Sequence, residues 1–582
     1  MTQTAGKMTR SQPKRVFTVE MGLYGLILGL ALAVRLIALG RWPLLDGEAG
    51  MALASWRFAR GLPASLRGFS PILFNWSALS SFLSGGSDGL IRLPSLLLGS
   101  ALVLWPYGLR RYLGRVGALA AALILAFSPS LVYFSRVADG SVIVAFCGLG
   151  LVWSALGYWE SRENCYAVAS GVLLTLALLA SPLAYTFTAV LLVLPGVLWL
   201  HRRLTGEEEP LAMWTETWAG FANDRGARRP VLLGVGLVLL IGGIALFLNP
   251  LGLQQALDLL GQWVGGLQWL RGSWYRLPLL LVVYETLPLV LGIVGLVLER
   301  KRRDSAAFLL RTWVVITLLV SIVPGYRPPN SVLLTLVPLV LWSAFVVQRF
   351  WKTLADTRGN SLLWTLVVVG CLVAFAMIIQ LVTYLNTSAS GYLLRMAALA
   401  VFLLSVYALV WSLRGAELPL RASVLLVLVL LSLGGIRTMA RVNYASARDP
   451  LEPLVGSTVS AEVLDLDQYA ASFSSQTLGD PRVMSWQVDR TLEVPLGWYL
   501  REFEKVSFER TIPAAPAAEG LIFPVGAGEP PKYVALRFAV HSHYPGGSFG
   551  FREWLRWWAG LDSAVSVVAN EDAALWVRVP QR

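Results

Sequence analysis

Apolar residues run through the chain in long blocks, and polar residues collect between them. About twenty apolar residues carry a helix across a bilayer. Blocks of that order begin with Phe17–Leu39 and recur at about 89–108, 116–134, 140–158, 166–181, 184–200, 231–248, 279–298, 306–324, 331–348, 361–384, 391–413 and 421–436, which predicts about thirteen spans. Pro71–Leu83 is shorter, is interrupted by Asn75 and several serines, and reads as an interfacial or re-entrant helix. Beyond residue 438 the pattern changes. YVALRFAV (Tyr533–Val540) and ALWVRV (Ala574–Val579) read as strands, and FREWLRWWAG (Phe551–Gly560) as an amphipathic helix. The expected class is a mainly α, polytopic membrane protein with a small C-terminal α/β domain.

Composition supports this and removes one rival. Hydrophobic residues make up 56% of the chain and charged residues 14%, against about 25% in soluble domains. The net charge of +13 would suggest nucleic acid in a soluble protein. Here the cations fall in alternate loops: Arg110, Arg111 and Arg115; Arg162; Arg202 to Arg229; Arg300 to Arg303; Arg349, Lys352 and Arg358; Arg414 and Arg421. Lys7, Arg10, Lys14 and Arg15 share their phase, so the positive-inside rule places the N-terminus in the cytoplasm. With no basic stripe interleaved with aromatics, nucleic acid is not an expected partner. The expected plan is a cytoplasmic tail over 1–16 and a transmembrane domain over 17–437, whose first extracytoplasmic loop covers 41–88. A linker over 438–454 and an extracytoplasmic α/β domain over 455–582 follow. The long first block lacks a small-residue cleavage site after it and reads as an uncleaved span. Cys147, Cys165 and Cys371 show no metal spacing and imply no disulfide framework.

The candidate chemistry lies in the loops of one phase. Asp46 and Glu48 follow the first span, ahead of a Trp- and Phe-bearing helix expected to lie in the membrane interface. A carboxylate at that depth serves as a general base, helps bind a divalent metal, or only caps the helix. Asp139 follows the third span, where it either caps the next helix or joins the same cavity, with Arg136 as a phosphate contact or an interface anchor. Arg327, among prolines in PGYRPPN, suits a lipid phosphate or snorkels at a helix end. Glu285 lies mid-span and should face the protein interior. His541 and His543 share a strand face but lack the further ligands of a zinc site. Trp554, Trp557 and Trp558 are expected to pack their helix on its domain or on the interface.

RLIALGRWPLLDGEAGMALASWRFARG, GFSPILFNWSAL, IRLPSLLLGS and SPSLVYFSR, in that order, resemble the GT-C class of membrane glycosyltransferases. That class includes protein O-mannosyltransferases and the aminoarabinose transferases of lipid A, and the chain is most similar to the prokaryotic flippase-activity-associated branch. GYRPPNSVLLTLVPLVL and VPLGWYLREF extend the likeness towards the tail. The resemblance implies transfer of a hexose or pentose from a polyprenyl-phosphate carrier to a protein or glycolipid on the extracytoplasmic face. It also implies a catalytic acid in the first such loop and a second acid after span three. Glu48 aligns with the branch's Glu, whereas Gly47 stands at its Asp, with Asp46 one place early. Phe69-Ser70-Pro71 replaces His-Gly-Pro, Asp139-Gly140-Ser141 replaces Arg-Asn-Asp, and Arg327 replaces a Lys. The resemblance therefore assigns Asp46, Glu48 and Asp139 to catalysis, and Arg136 and Arg327 to the donor phosphate. The alternatives are a catalytically degenerate protein that binds lipid-linked sugar, flippase-associated or scaffolding, and a secondary transporter, for which the inverted repeats and broken mid-membrane helices are not evident.

Overall fold

The computed structural model describes residues 18–205, 225–267, 275–298, 305–322, 328–355, 361–455, 458–513, 516–543, 551–560 and 569–578, with 215 and 219. The apolar blocks are helices. α1 (Val19–Leu36) precedes two helices of the first long loop, α2 (Asp46–Ala59) and α3 (Pro71–Ser84). Then come α4 (Asp88–Ala101), α5 (Trp105–Leu113), α6 (Arg115–Phe127), α7 (Pro129–Ser135), α8 (Ser141–Ser161), α9 (Asn164–Ala180), α10 (Leu183–Thr205) and α11 (Arg225–Val238). α12 (Gly252–Gly266), α13 (Arg276–Tyr284), α14 (Thr286–Leu298), α15 (Ser305–Ile322), α16 (Val332–Ala355), α17 (Ser361–Thr387), α18 (Gly391–Arg414) and α19 (Glu417–Ala440) complete the membrane part. Among the described residues nine helices are long and apolar enough to cross a membrane, or up to eleven if two bent pairs each form one span. Asn164–Ala180 and Ala307–Val320 are shorter apolar helices that the expectation of about thirteen spans also counts. Nearly all of α16 is buried at the centre of the bundle, whereas α18 is almost wholly uncovered and turns its apolar side chains outward.

Local sequence sets the helix ends. Ser70, Ser87 and Ser128 cap α3, α4 and α7, each accepting from a backbone N–H three residues on, and Pro71 and Pro129 occupy first-turn positions that lack an intrahelical donor role. The α6–α7 pair bends by 55° and the α13–α14 pair by 103°. Pro129 has no N–H to offer Leu125 O across the first break. Arg35 of α1 serves that end of α6 instead, donating to Leu125 O and Ala126 O at 3.2 Å each. Glu285, at the second break, accepts from Ser128 Oγ at 2.7 Å and Ser130 N at 3.0 Å, so its carboxyl meets the N-terminus of α7. Both ionisable side chains face the interior, as such groups within a membrane span should. Asn75, which interrupts the apolar run of α3, donates to Gly242 O and Gly243 O, carbonyls at the π-turn that follows α11.

The C-terminal unit is an α/β fold with α20 (Glu462–Leu478), α21 (Glu493–Tyr499) and α22 (Phe551–Ala559). Its strands are β1 (Thr458–Val459), β2 (Trp486–Asp489), β3 (Val506–Glu509), β4 (Gly520–Pro524), β5 (Tyr533–His543) and β6 (Ala569–Arg578), in the order β1-β5-β6-β4-β2-β3. β2 runs parallel to β3 and β4, and the remaining pairs are antiparallel. This unit does not hang from a loose tether. α19 continues through a π-turn to Ala445, within the stretch expected as a linker. Arg437 and Arg441 then donate to the carbonyls that end α22, at Trp557, Trp558 and Ala559. Arg441 also pairs with buried Glu452, which accepts from Tyr284. A single apolar cluster joins Met51, Trp56 and Phe74 of the first loop to Trp486, Trp498 and Phe538 of the C-terminal unit. Trp56 of α2, on the face expected in the membrane interface, is buried within this cluster.

Candidate functional site

The first long loop folds so that its two acids become the first turn of α2, where helix N–H groups favour negative charge. Two residues apart, they meet opposite surroundings. Glu48 is buried, and Arg92 of α4 grips it with two parallel bonds of 2.9 Å, from Nε to Oε1 and from Nη2 to Oε2. The other Arg92 hydrogens go to the carbonyls of Leu39, Trp42 and Pro43, so all five donors of the guanidinium are used. Glu48 also accepts from Leu45 N at 2.9 Å and from Ala138 N at 2.6 Å. Burial pushes its carboxyl up, but Arg92 outweighs that and, with the cation of Arg448 at 3.8 Å, holds it below the usual range. Glu48 is therefore an ionised, fully engaged group that ties α2 to α4 and to the 136–141 loop.

Asp46 is half exposed, and one oxygen, Oδ1, lies 3.0 Å from His541 Nε2 of β5. The bond from Ala138 N to Glu48 brings the loop of Asp139 against the turn of Asp46. Asp139 accepts from Ser141 N at 3.0 Å, Ser141 Oγ at 2.8 Å and Asn330 Nδ2 at 2.7 Å. Burial holds its carboxyl above the usual range against those bonds. Gly140 beside it is a steric requirement, since a Cβ there would stand 1.8 Å from Ala180 O. Asp139 thus binds Ser141, the first residue of α8, and joins it to the segment that leads into α16.

The expected phosphate contacts divide. Arg136 donates to Val34 O, Ile37 O and Ala38 O at the end of α1 and stacks on the Tyr444 ring at 4.7 Å. It lends its charge, while these hydrogen bonds point at the backbone. Arg327 lies outside the described residues. Arg448, which sequence reasoning passed over, donates to Pro43 O at 2.9 Å, while its buried Nε has no partner among the described residues. With Arg92, Arg136, Tyr133 and Trp42 it lines a cavity of about 20 Å³, room for one water-sized group. The Trp42 indole N–H there is likewise without a partner among the described residues.

α21 secures this region from above. Trp498 Nε1 and Tyr499 OH donate to Asp88 at 2.8 and 3.0 Å, and Leu44 N donates to Tyr499 OH at 2.8 Å. Arg57 pairs with Glu493 at 3.1 Å. A larger cavity, about 350 Å³, lies elsewhere, among Leu109, Leu156, Ala167, Leu194, Trp313 and Phe345, and presents almost only hydrocarbon. Among the described residues no group of three or more His, Cys, Asp and Glu side chains is arranged to hold a metal ion.

A bent, many-helix membrane bundle thus carries acids in its first long loop and after its first bent helix pair, and is joined to a small α/β unit. Residues 70–212 match the family described as dolichyl-phosphate-mannose-protein mannosyltransferase. The chain is similar in structure to ArnT from Cupriavidus metallidurans bound to undecaprenyl phosphate, with a TM-score of 0.51 and 17% identity over 82% of this chain and 85% of that one. The apo state of the same protein gives a TM-score of 0.49 and 17% identity over 84% and 86% of the two chains. The oligosaccharyltransferase AglB from Archaeoglobus fulgidus gives 0.46 and 11% identity over 82% of this chain and 63% of that one. No curated protein matches the chain significantly in sequence.

Proposed function

We propose that this protein transfers a sugar from a polyprenyl-phosphate donor to a hydroxyl of a protein or glycolipid acceptor, at the membrane face opposite its cationic loops. Nucleotide sugars are cytoplasmic, so a site on the far face needs a donor that lipid has already carried across. The alternating loop cations support that sidedness, with a cytoplasmic N-terminus and an extracytoplasmic C-terminal unit. The solved structure of similar fold contains undecaprenyl phosphate, which accords with such a donor.

The observation that carries the reading is Asp46: an acid, half exposed, with one oxygen unpartnered among the described residues, beside arginines and buried acids that are already engaged. In the proposed reaction Asp46 takes the acceptor proton as the acceptor oxygen bonds to the anomeric carbon. The bond from that carbon to the phosphate oxygen breaks, and polyprenyl phosphate leaves against the charge of Arg448, Arg136 and Arg327. Glu48 holds the turn of Asp46 in place through Arg92, and Asp139 fixes the start of α8 next to the loop that Glu48 engages. The test is transfer in nanodiscs from defined polyprenyl-phosphate sugars, wild type against Asp46→Asn. Loss of turnover with donor binding retained is expected; turnover unaffected by the change overturns the assignment. A non-enzymatic lipid-sugar scaffold is the second reading, favoured by the structural engagement of Glu48 and Arg136, and it predicts indifference to Asp46→Asn.

A further inference from the structure

The contact of His541 with Asp46 joins residues almost 500 positions apart, and three features of β5 set it up. First, β5 and β6 slip register between Ala539 and His541: Ala539 stands opposite Asp572 and His541 opposite Glu571, so two steps on β5 match one on β6. A bulge of this kind re-aims the side chains beside it. Second, buried Val540 anchors the bulge in the sheet core, and Glu462 of α20 accepts from Ala539 N at 2.6 Å. Third, the imidazole lies between two carboxylates, with Nε2 3.0 Å from Asp46 Oδ1 and Nδ1 3.2 Å from Glu571 Oε2, and is itself only 17% exposed. Asp46 of α2 and Glu571 of β6 are the charged groups facing the ring among the described residues.

Building on the reading of Asp46 as the base, we propose that His541 is a positioning residue for it, so that the C-terminal sheet supplies part of the reaction site. The ring holds Oδ1 and leaves Oδ2 for the acceptor hydroxyl. Glu571, 3.2 Å from the opposite ring nitrogen, makes no hydrogen bond to it but favours the protonated ring by its charge. Without the bond, Asp46 rotates freely at a half-exposed helix start and loses aim. The alternative, that His541 only glues the unit to the membrane part, leaves turnover per folded molecule untouched.

The experiment uses the full chain in nanodiscs with a polyprenyl-phosphate sugar. His541→Ala is expected to lower kcat by about tenfold or more with the donor KM unchanged. His541→Gln, whose amide still donates to Oδ1, recovers part of that kcat and loses the limb of the pH–rate profile that His541 carries. Independently, the three histidines of the chain allow the His541 titration to be followed by carbon-13 NMR. Asp46→Asn should move that titration to lower pH. Full kcat in His541→Ala, or a His541 titration indifferent to Asp46→Asn, overturns the proposal. If Asp46→Asn is inactive while His541→Ala is not, only this proposal falls. If Asp46→Asn keeps its turnover, or the wild type transfers no sugar, the functional reading falls and this proposal with it.

Discussion

Glu48 and Asp46 share one helical turn, yet one is locked in a knot and the other stands at a seam. Glu48 is buried with its charge matched by a bidentate arginine and by backbone donors. Asp46 is half exposed and touches a single ring from another part of the fold. A buried charge must be paired in full, because desolvation is otherwise prohibitive, and a fully paired group has no lone pair left for a substrate. The comparison separates acids that build the site from the acid able to act in it.

The largest effect should come from cutting the knot. Arg92→Met leaves the buried Glu48 charge without its bidentate partner, with only the more distant Arg448 and two backbone N–H groups, which costs up to about 3–5 kcal/mol. A large fall in the thermal unfolding midpoint in detergent is expected, and Glu48→Gln added to Arg92→Met should restore part of it. An Arg92→Met protein as stable as wild type would show that the knot is not what holds the loop. At the seam, Asp46→Asn should leave that midpoint in place while lowering kcat by about 10²–10⁴-fold. Equal losses of stability in both variants would erase the distinction between the two acids.

Gly140→Ala probes the 136–141 loop that Glu48 engages through Ala138, since its Cβ would meet Ala180 O at 1.8 Å. Overpacking of that kind costs about 1–3 kcal/mol and should show as a lower midpoint together with reduced transfer, because Asp139 moves with its loop. A smaller, pH-dependent effect belongs to His541, whose pKa is raised above its ordinary value chiefly by the bond to Asp46, against burial. Its contribution to stability is full below the unfolded value, about 6.5, and is lost as pH rises through the folded value. The unfolding midpoint should therefore decline over that window in the wild type and not in His541→Gln. The smallest effect is expected for Arg57→Met, since its pair with Glu493 is about one-third exposed and worth at most about 1 kcal/mol.

The apolar blocks located the helices, because a segment that must satisfy its backbone in lipid has few alternatives to helix. β5 and β6 were equally legible, from alternation and β-branched content. Asp46 and Asp139 stood out because acids beside long apolar runs are costly without a use. Arg92 escaped notice within IRLPSLLLGS, since a lone arginine near a helix start reads as a snorkelling cation. Arg448 was hidden for a similar reason, in a stretch that reads as polar linker. His541 was visible only as half of a weak metal pair, because nothing local in FAVHSH says what faces its ring.

Local chemistry alone thus decided which segments enter the membrane, how the serine caps and prolines divide them, and where ionisable groups border lipid. Periodicity, capping and hydration act over a few residues, so one strand of text carries them. Which carboxylate is sealed and which remains open depended on what α4, the 136–141 loop and the β5 bulge bring to the same turn from tens to hundreds of residues away. Pairing at such separations is set by packing of the whole bundle, and electrostatic character follows the neighbours a charge acquires there.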